Sequence, residues 1–147
     1  MAFPFTTENA ESTGRLQALV KRLSVEDFTR TTSYGWTISA LLAHLAFWDQ
    51  RMLVLLRRWQ QNGFDPSPVD AQATNDALLP LCTSMEPRTA VELCLTSARL
   101  LDAALAALSD DQFEDIRKKA EASATQFRMN RSLHRNDHLN DMAALLE

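Results

Sequence analysis

From Ile38 to Asn62 the chain runs without a glycine or a proline, and its apolar residues keep to one side of a helix. Leu41, His44, Leu45, Trp48, Met52, Leu55 and Trp59 follow the 3, 4, 7 spacing of a single helix face. Thr37 stands at the front as an N-cap, after Gly35 and Trp36, and Gly63 stands at the end as a C′ residue. A helix this long and this one-sided must bury its stripe against other helices. The stripe contains one histidine, His44, and Arg51 lies two turns further along the same edge.

The rest of the chain supplies the partners. Gly (3) and Pro (5) are scarce, hydrophobic residues make up 46%, and 147 residues suit one compact domain, taken as 1–147. A first helix is predicted over about Thr7 to Arg22, with Leu16, Leu19, Val20 and Leu23 at helical spacing and Gly14 weakening its first half. Ser24 and Asp27 form a capping pair for a short turn, and "TRTTSYG" reads as a loop. After the two-proline loop "FDPSPVD", a short helix from about Asp70 to Leu79 is expected to stop before Pro80. A third long helix starts near Pro87 and continues to about Leu108. Its stripe is Cys94, Ala98, Leu101, Leu105 and Leu108, with Asp102 on the flank, and "SDDQF" closes it. Glu114 to Asn130 reads as partial helix, and a last helix covers about Arg131 to Leu146. Four long helices with mostly short links are the pattern of an antiparallel bundle, so the fold class is all-α.

Several function classes are disfavoured. The net charge is -4 with no run of one sign, which argues against nucleic acid as a partner. "ISALLAHLAFW" is too short for a membrane span and is followed by Asp49 and Arg51. The start, "MAFPFTTENAESTG", lacks the basic and apolar regions of a signal peptide. Cys82 and Cys94 form no disulfide framework, and neither has a basic or histidine neighbour in sequence to activate it. The expectation is two reduced thiols in a cytoplasmic protein.

The histidines carry the chemistry. Only three exist: His44, His134 and His138. A pair four residues apart on a helix points both rings the same way. His134, His138, Asp141 and Leu145 share that face, bordered by Met142. Two imidazoles so placed can share one divalent ion, and a third from a facing helix completes a three-nitrogen site with an open position. Singly, an inward histidine is more often a hydrogen-bonded core residue, and a histidine pair more often a surface accident. Convergence of all three in one bundle makes a metal site an even alternative.

The stretch "GWTISALLAHLAFWD" resembles the signature of the DinB-like superfamily. That group includes the N-terminal domains of thiol-dependent maleylpyruvate isomerases and proteins proposed to be metal-dependent thiol S-transferases. The residues that carry the likeness are Gly35, Trp36, Thr37, His44, Trp48 and Asp49, with His134 and His138 matching the family's His-x-x-x-His pair on the last helix. The resemblance implies a four-helix bundle with a long crossover connection and short extra helices. It implies a divalent metal, zinc or nickel, held by His44, His134 and His138. It also implies a low-molecular-weight thiol that attacks or isomerises an electrophilic small molecule. The second domain of some isomerase relatives is not expected here, and the polar sequence around the pair departs from the family pattern.

The helpers each have a plainer alternative. Asp141 could accept a ring N–H of His138, or be a solvated helix-end residue. Arg51 could reach a substrate carboxylate, or make a surface ion pair. Asp102 could contact the site or lie solvated on its helix. Trp36, Trp48 and Trp59 are expected to fill the core. Three functions follow: a thiol-dependent transferase or isomerase, a hydrolase using water coordinated to the metal, or a non-catalytic bundle that pairs as a homodimer through an apolar helix face.

Overall fold

The structure is a computed structural model that describes residues 3–147. Among these residues six helices are present: α1 (Pro4–Arg22), α2 (Ile38–Asn62), α3 (Ala71–Ser84), α4 (Pro87–Ala106), α5 (Asp110–Ala122) and α6 (Ser132–Leu145), with a 3-10 turn at Glu26–Thr29. Among the described residues there is no strand beyond an isolated bridge between Thr31 and Thr37.

Packing closes four of these helices into a ring. Helix α2 lies against α4 and touches α6, while α1 lies against α4 and α6. That makes α1 and α2 diagonal to each other, so the segment 23–37 crosses the end of the bundle. The links from α2 to α4 and from α4 to α6 are both long and carry α3 and α5. Helix α3 lies outside the ring against α2.

Local sequence explains most boundaries. Thr37 Oγ1 accepts from Ala40 N–H at 3.0 Å and caps α2. Gly63, at φ 83°, ends it in backbone that a side chain would strain. Ser24 and Asp27 cap each other's backbone N–H reciprocally, as their spacing predicts.

Some boundaries differ from the sequence expectation, and α1 already starts at Pro4, a turn before Thr7. Helix α3 does not stop before Pro80 but runs through it to Ser84. The proline is exposed and Cys82, beyond it, is buried in the core, so packing of the last turn outweighs one missing backbone bond. "SDDQF" does not merely close α4; it opens α5. Ser109 Oγ accepts from Gln112 N–H at 3.2 Å while Gln112 Oε1 accepts from Ser109 N–H at 3.0 Å, a full capping box. Accordingly Glu114 to Asn130 divides into helix to Ala122 and an irregular return to α6.

The apolar core is in two parts. One is built around Leu16, Leu41, Leu45, Cys94, Leu139 and Met142. The other is built around Met52, Leu56, Trp59, Leu101, Leu105 and Met129. Between them along the helices sits a buried polar layer: Asn9, Ser12 and Thr13 from α1, Asp49 from α2, Ser97 from α4, and Arg131, Ser132 and Arg135 at the start of α6. This layer sets the position of the helix that carries two histidines.

Candidate metal centre

Helix α6 has no side-chain cap of its own at Arg131. Its first N–H groups are instead met from across the bundle, with Asn130 Oδ1 sharing the Ser132 N–H at 3.0 Å. Asn9 Oδ1 accepts from Arg131 N–H at 2.7 Å and from Ser132 N–H at 3.1 Å. Asn9 Nδ2 donates to Met129 O at 2.9 Å, so one buried amide fixes both the return loop and the helix start.

Arg135 then locks the helix sideways. Its side chain is fully buried. Nη2 donates to Asp49 Oδ2 at 2.9 Å and Nε to the same oxygen at 3.1 Å. Nη1 donates to Asn9 O, Ser12 Oγ and Thr13 Oγ1 at 3.1–3.2 Å. Asp102 completes the shell, with Oδ2 3.2 Å from Nη1. Its Oδ1 lies 2.9 Å from Nη2, an ion-pair approach at too poor an angle for a hydrogen bond. Arg131 Nε donates to the other oxygen of Asp49 at 2.9 Å. Two carboxylates thus face two guanidiniums, and the buried charge cancels.

With α6 held this way, its adjoining face, roughly 60–100° around the helix from Arg135, presents His134 and His138 to His44 on α2. The three ring centroids form a near-regular triangle: 5.1 Å from His44 to His134, 4.9 Å from His44 to His138, and 4.9 Å from His134 to His138. One nitrogen from each lies within 4.8 Å of the others, a grouping that could hold a metal ion. His44 Nε2 and His134 Nε2 are 3.1 Å apart. Two nitrogens on one tetrahedral ion at 2.0–2.1 Å would be separated by about 3.3 Å. The donor set and its spacing therefore fit a divalent cation.

Burial keeps the rings in the ligand form. Desolvation pushes the His44 pKa down to about 3, with the neighbouring His138 and Arg131 adding to it. Desolvation and then Arg131 push His134 down to about 2. His138 is lowered by burial too, against the opposing pull of Asp141 and Asp137. Neutral imidazoles have the lone pairs that a metal requires.

The histidines open onto a cavity of about 650 Å³. Trp36 stands edge-on to His44, with ring centroids 5.1 Å apart. Trp48 forms another wall, its indole N–H donated to Asn75 Oδ1 of α3 at 3.0 Å. Of the three tryptophans expected in the core, only Trp59 is buried there; Trp36 and Trp48 are half-buried and line the cavity. Tyr34 and Leu133 lie at its exposed rim.

The other candidate residues sort clearly. Asp141 does lie beside His138, Oδ2 to Nδ1 at 3.7 Å, but that is too long for a hydrogen bond. The same oxygen accepts from Tyr34 O–H at 2.5 Å, and burial together with this contact pushes the tyrosine pKa up to about 12. Arg51 borders the cavity, yet its guanidinium is tied to Ser67 O at 2.7 Å and Gln126 O at 3.3 Å, joining two loops instead of a surface carboxylate. Asp102 does not reach the histidines and acts through Arg135. Sequence reading missed Asn9, Arg131 and Arg135. The usable signal for the arginines was their register, since charged residues one turn apart alternate with histidines on a helix whose apolar stripe is thin.

A family model described as the DinB superfamily matches residues 9–139, nearly the whole chain. The chain belongs to the DinB superfamily. The match begins at Asn9 and extends one residue past His138, so it spans the polar layer and all three histidines. No curated protein and no solved structure matches it.

Proposed function

We propose that this DinB-superfamily chain is a metal-dependent enzyme in which His44, His134 and His138 hold a divalent cation, zinc or nickel, against a small-molecule cavity. The observation that carries the reading is the convergence of three neutral imidazoles, with donor nitrogens within 4.8 Å, on the wall of a 650 Å³ cavity. When bound, such an ion supplies Lewis-acid polarisation and a lowered pKa for whatever ligand enters the open position.

The chain's own residues then bind and orient. Trp36 and Trp48 offer flat apolar walls that exclude water from one side of the substrate. Asn75 fixes the Trp48 ring, and Tyr34 stands at the rim with its O–H committed to Asp141.

The nucleophile is a low-molecular-weight thiol that adds to, or isomerises, an electrophilic substrate. The protein's own sulfurs are unsuited to that role. Cys94 is buried in the core, which together with the charge of Asp49 pushes its thiol up to about 12, and burial raises Cys82 as well. A reactive thiolate must therefore come from outside. Two free cysteines also suit a reducing compartment such as the cytoplasm. The half-exposed Val54, Leu81 and Leu93, which line an apolar groove between α2, α3 and α4, suit a homodimer contact.

The test is metal analysis of the purified protein together with turnover of an electrophile in the presence and absence of a small thiol. One metal per chain and thiol-dependent consumption are expected, and His44→Ala should lose both. Absence of stoichiometric metal would sink the metal reading, and consumption of the electrophile without thiol would point to a hydrolase.

A further inference from the structure

The surroundings of His134 differ from those of the other two histidines. Arg131 Nη2 lies 3.3 Å from His134 Nδ1. A guanidinium has donors only, so Nδ1 meets it as an acceptor. The arginine is not at liberty to leave. It is almost fully buried, and its Nε is held by Asp49 Oδ1 at 2.9 Å, whose other oxygen is gripped by Arg135. With Nδ1 bare, a neutral imidazole carries its proton on Nε2. That nitrogen faces His44 Nε2 at 3.1 Å. A donor chain therefore runs from Arg131 to His134 to His44, and it is anchored at Asp49.

We infer that Arg131, clamped by Asp49, holds His134 in the tautomer that hydrogen-bonds His44, and so makes His134 the weak third ligand of the site. This rests on reading the three histidines as a metal centre. A cation taken through His134 Nε2 needs that nitrogen bare and the proton on Nδ1. Ligating histidines usually donate that second N–H to a carboxylate or carbonyl. Here it would meet the guanidinium, which has no lone pair to offer and whose positive charge opposes a second cation. The other two histidines carry no such obstacle. Accepting from His134 at Nε2 leaves the His44 proton on Nδ1, which has no partner, so His44 is already in the tautomer a ligand needs. His138 has the carboxylate of Asp141 on its Nδ1 side. His44 and His138 are the firm pair, and His134 joins them only when Arg131 gives way. Arg131 is thus a positioning residue that sets how tightly the cation is held.

Long-range ¹⁵N correlation spectra of the metal-free protein near neutral pH read the tautomer directly. His134 should show its proton on Nε2 in the wild type and lose that preference in Arg131→Met. Zinc titration against a competing chelator reads the consequence. Arg131→Met should bind zinc about tenfold more tightly, within the range by which outer-sphere contacts tune metal affinity. The double variant Arg131→Met with Asp49→Asn should do the same, because its net charge equals that of the wild type and leaves the lost contact as the cause. A proton on Nδ1 of His134 in the wild type would overturn the inference. So would unchanged or weaker zinc binding in the double variant with helicity retained. If neither variant folds, the wild-type tautomer decides alone. If no zinc binds to the wild type or to either variant while the Nε2 proton is present, the metal reading falls and the tuning role with it.

Discussion

The two faces of α6 are built from alternating residues of one short helix, yet they obey opposite rules. On the inner face, each nitrogen of Arg135 donates to an acceptor and Asp49 is held on both oxygens, with Asp102 Oδ1 kept by its ion-pair approach to Arg135 alone. On the outer face, His44 Nδ1 and His138 Nδ1 are buried without hydrogen-bond partners, and three imidazoles crowd together with a cavity in front of them. One face spends its polar groups on holding the helix in place. The other leaves polar groups unsatisfied, which a folded core avoids unless something else is to bind there. The contrast teaches that rigidity and reactivity occupy adjoining flanks of one short helix, and that the first supports the second.

The strongest way to break the contrast is to remove the inner face. Arg135→Met keeps length and removes the charge, leaving Asp102 with only Thr13 and Asp49 with only Arg131. Breaking a buried pair by removing one partner costs about 3–5 kcal/mol. Denaturant unfolding should show a loss of that size, and metal binding should fall with it because α6 loses its register. A loss below about 1 kcal/mol would mean the polar layer is not what holds the helix.

The outer face should instead be exposed by acid. In the metal-free protein, His44 and His134 have pKa values of about 3 and about 2, while an unfolded histidine titrates near 6.5. Above that value both states are neutral and nothing is lost. Below it the unfolded chain takes up protons that the folded chain refuses, so stability falls as pH drops. Each histidine contributes a slope of up to about 1.4 kcal/mol per pH unit. Midpoints measured from pH 7.5 to 5.5, above the carboxylate range, should therefore decline steeply in the wild type and less steeply in His44→Ala, where His134 and the smaller contribution of His138 remain. Parallel profiles would show that burial does not set the state of that ring.

These effects also mark what the sequence made legible. The α2 stripe, its Thr37 cap and its Gly63 stop are local signals, and local signals fix long helices well. The histidine triad was legible for a similar reason: an i, i+4 pair and an inward histidine need only two helices to face each other. The polar layer was not. Arg135 touches residues from three other helices, and no window of sequence displays a contact between residues 9 and 135. Asn9 looked like any first-turn residue, although it caps a helix over 120 positions away. Pro80 misled in the opposite direction, since a local stop signal was overruled by the burial of Cys82.

The smallest expected effect sharpens the contrast instead of breaking it. Asp141 stands 3.7 Å from His138 Nδ1, short of a hydrogen bond, and its nearer oxygen is taken by Tyr34. The carboxylate is therefore an outer partner for the ring that has been drawn aside. Tyr34→Phe releases it at the cost of one hydrogen bond at the surface, about 0.5–1.5 kcal/mol by usual magnitudes and nearer the low end here because Tyr34 is half exposed. Freed, Asp141 can close on Nδ1 and accept its proton, which raises the basicity of the opposite nitrogen. Zinc affinity should then rise by roughly threefold, below the usual outer-sphere range because the carboxylate is partly solvated. The stability midpoint should barely move. Weaker zinc binding in Tyr34→Phe would mean that Tyr34 steadies Asp141 for His138 and that this part of the outer face is already as closed as the inner one.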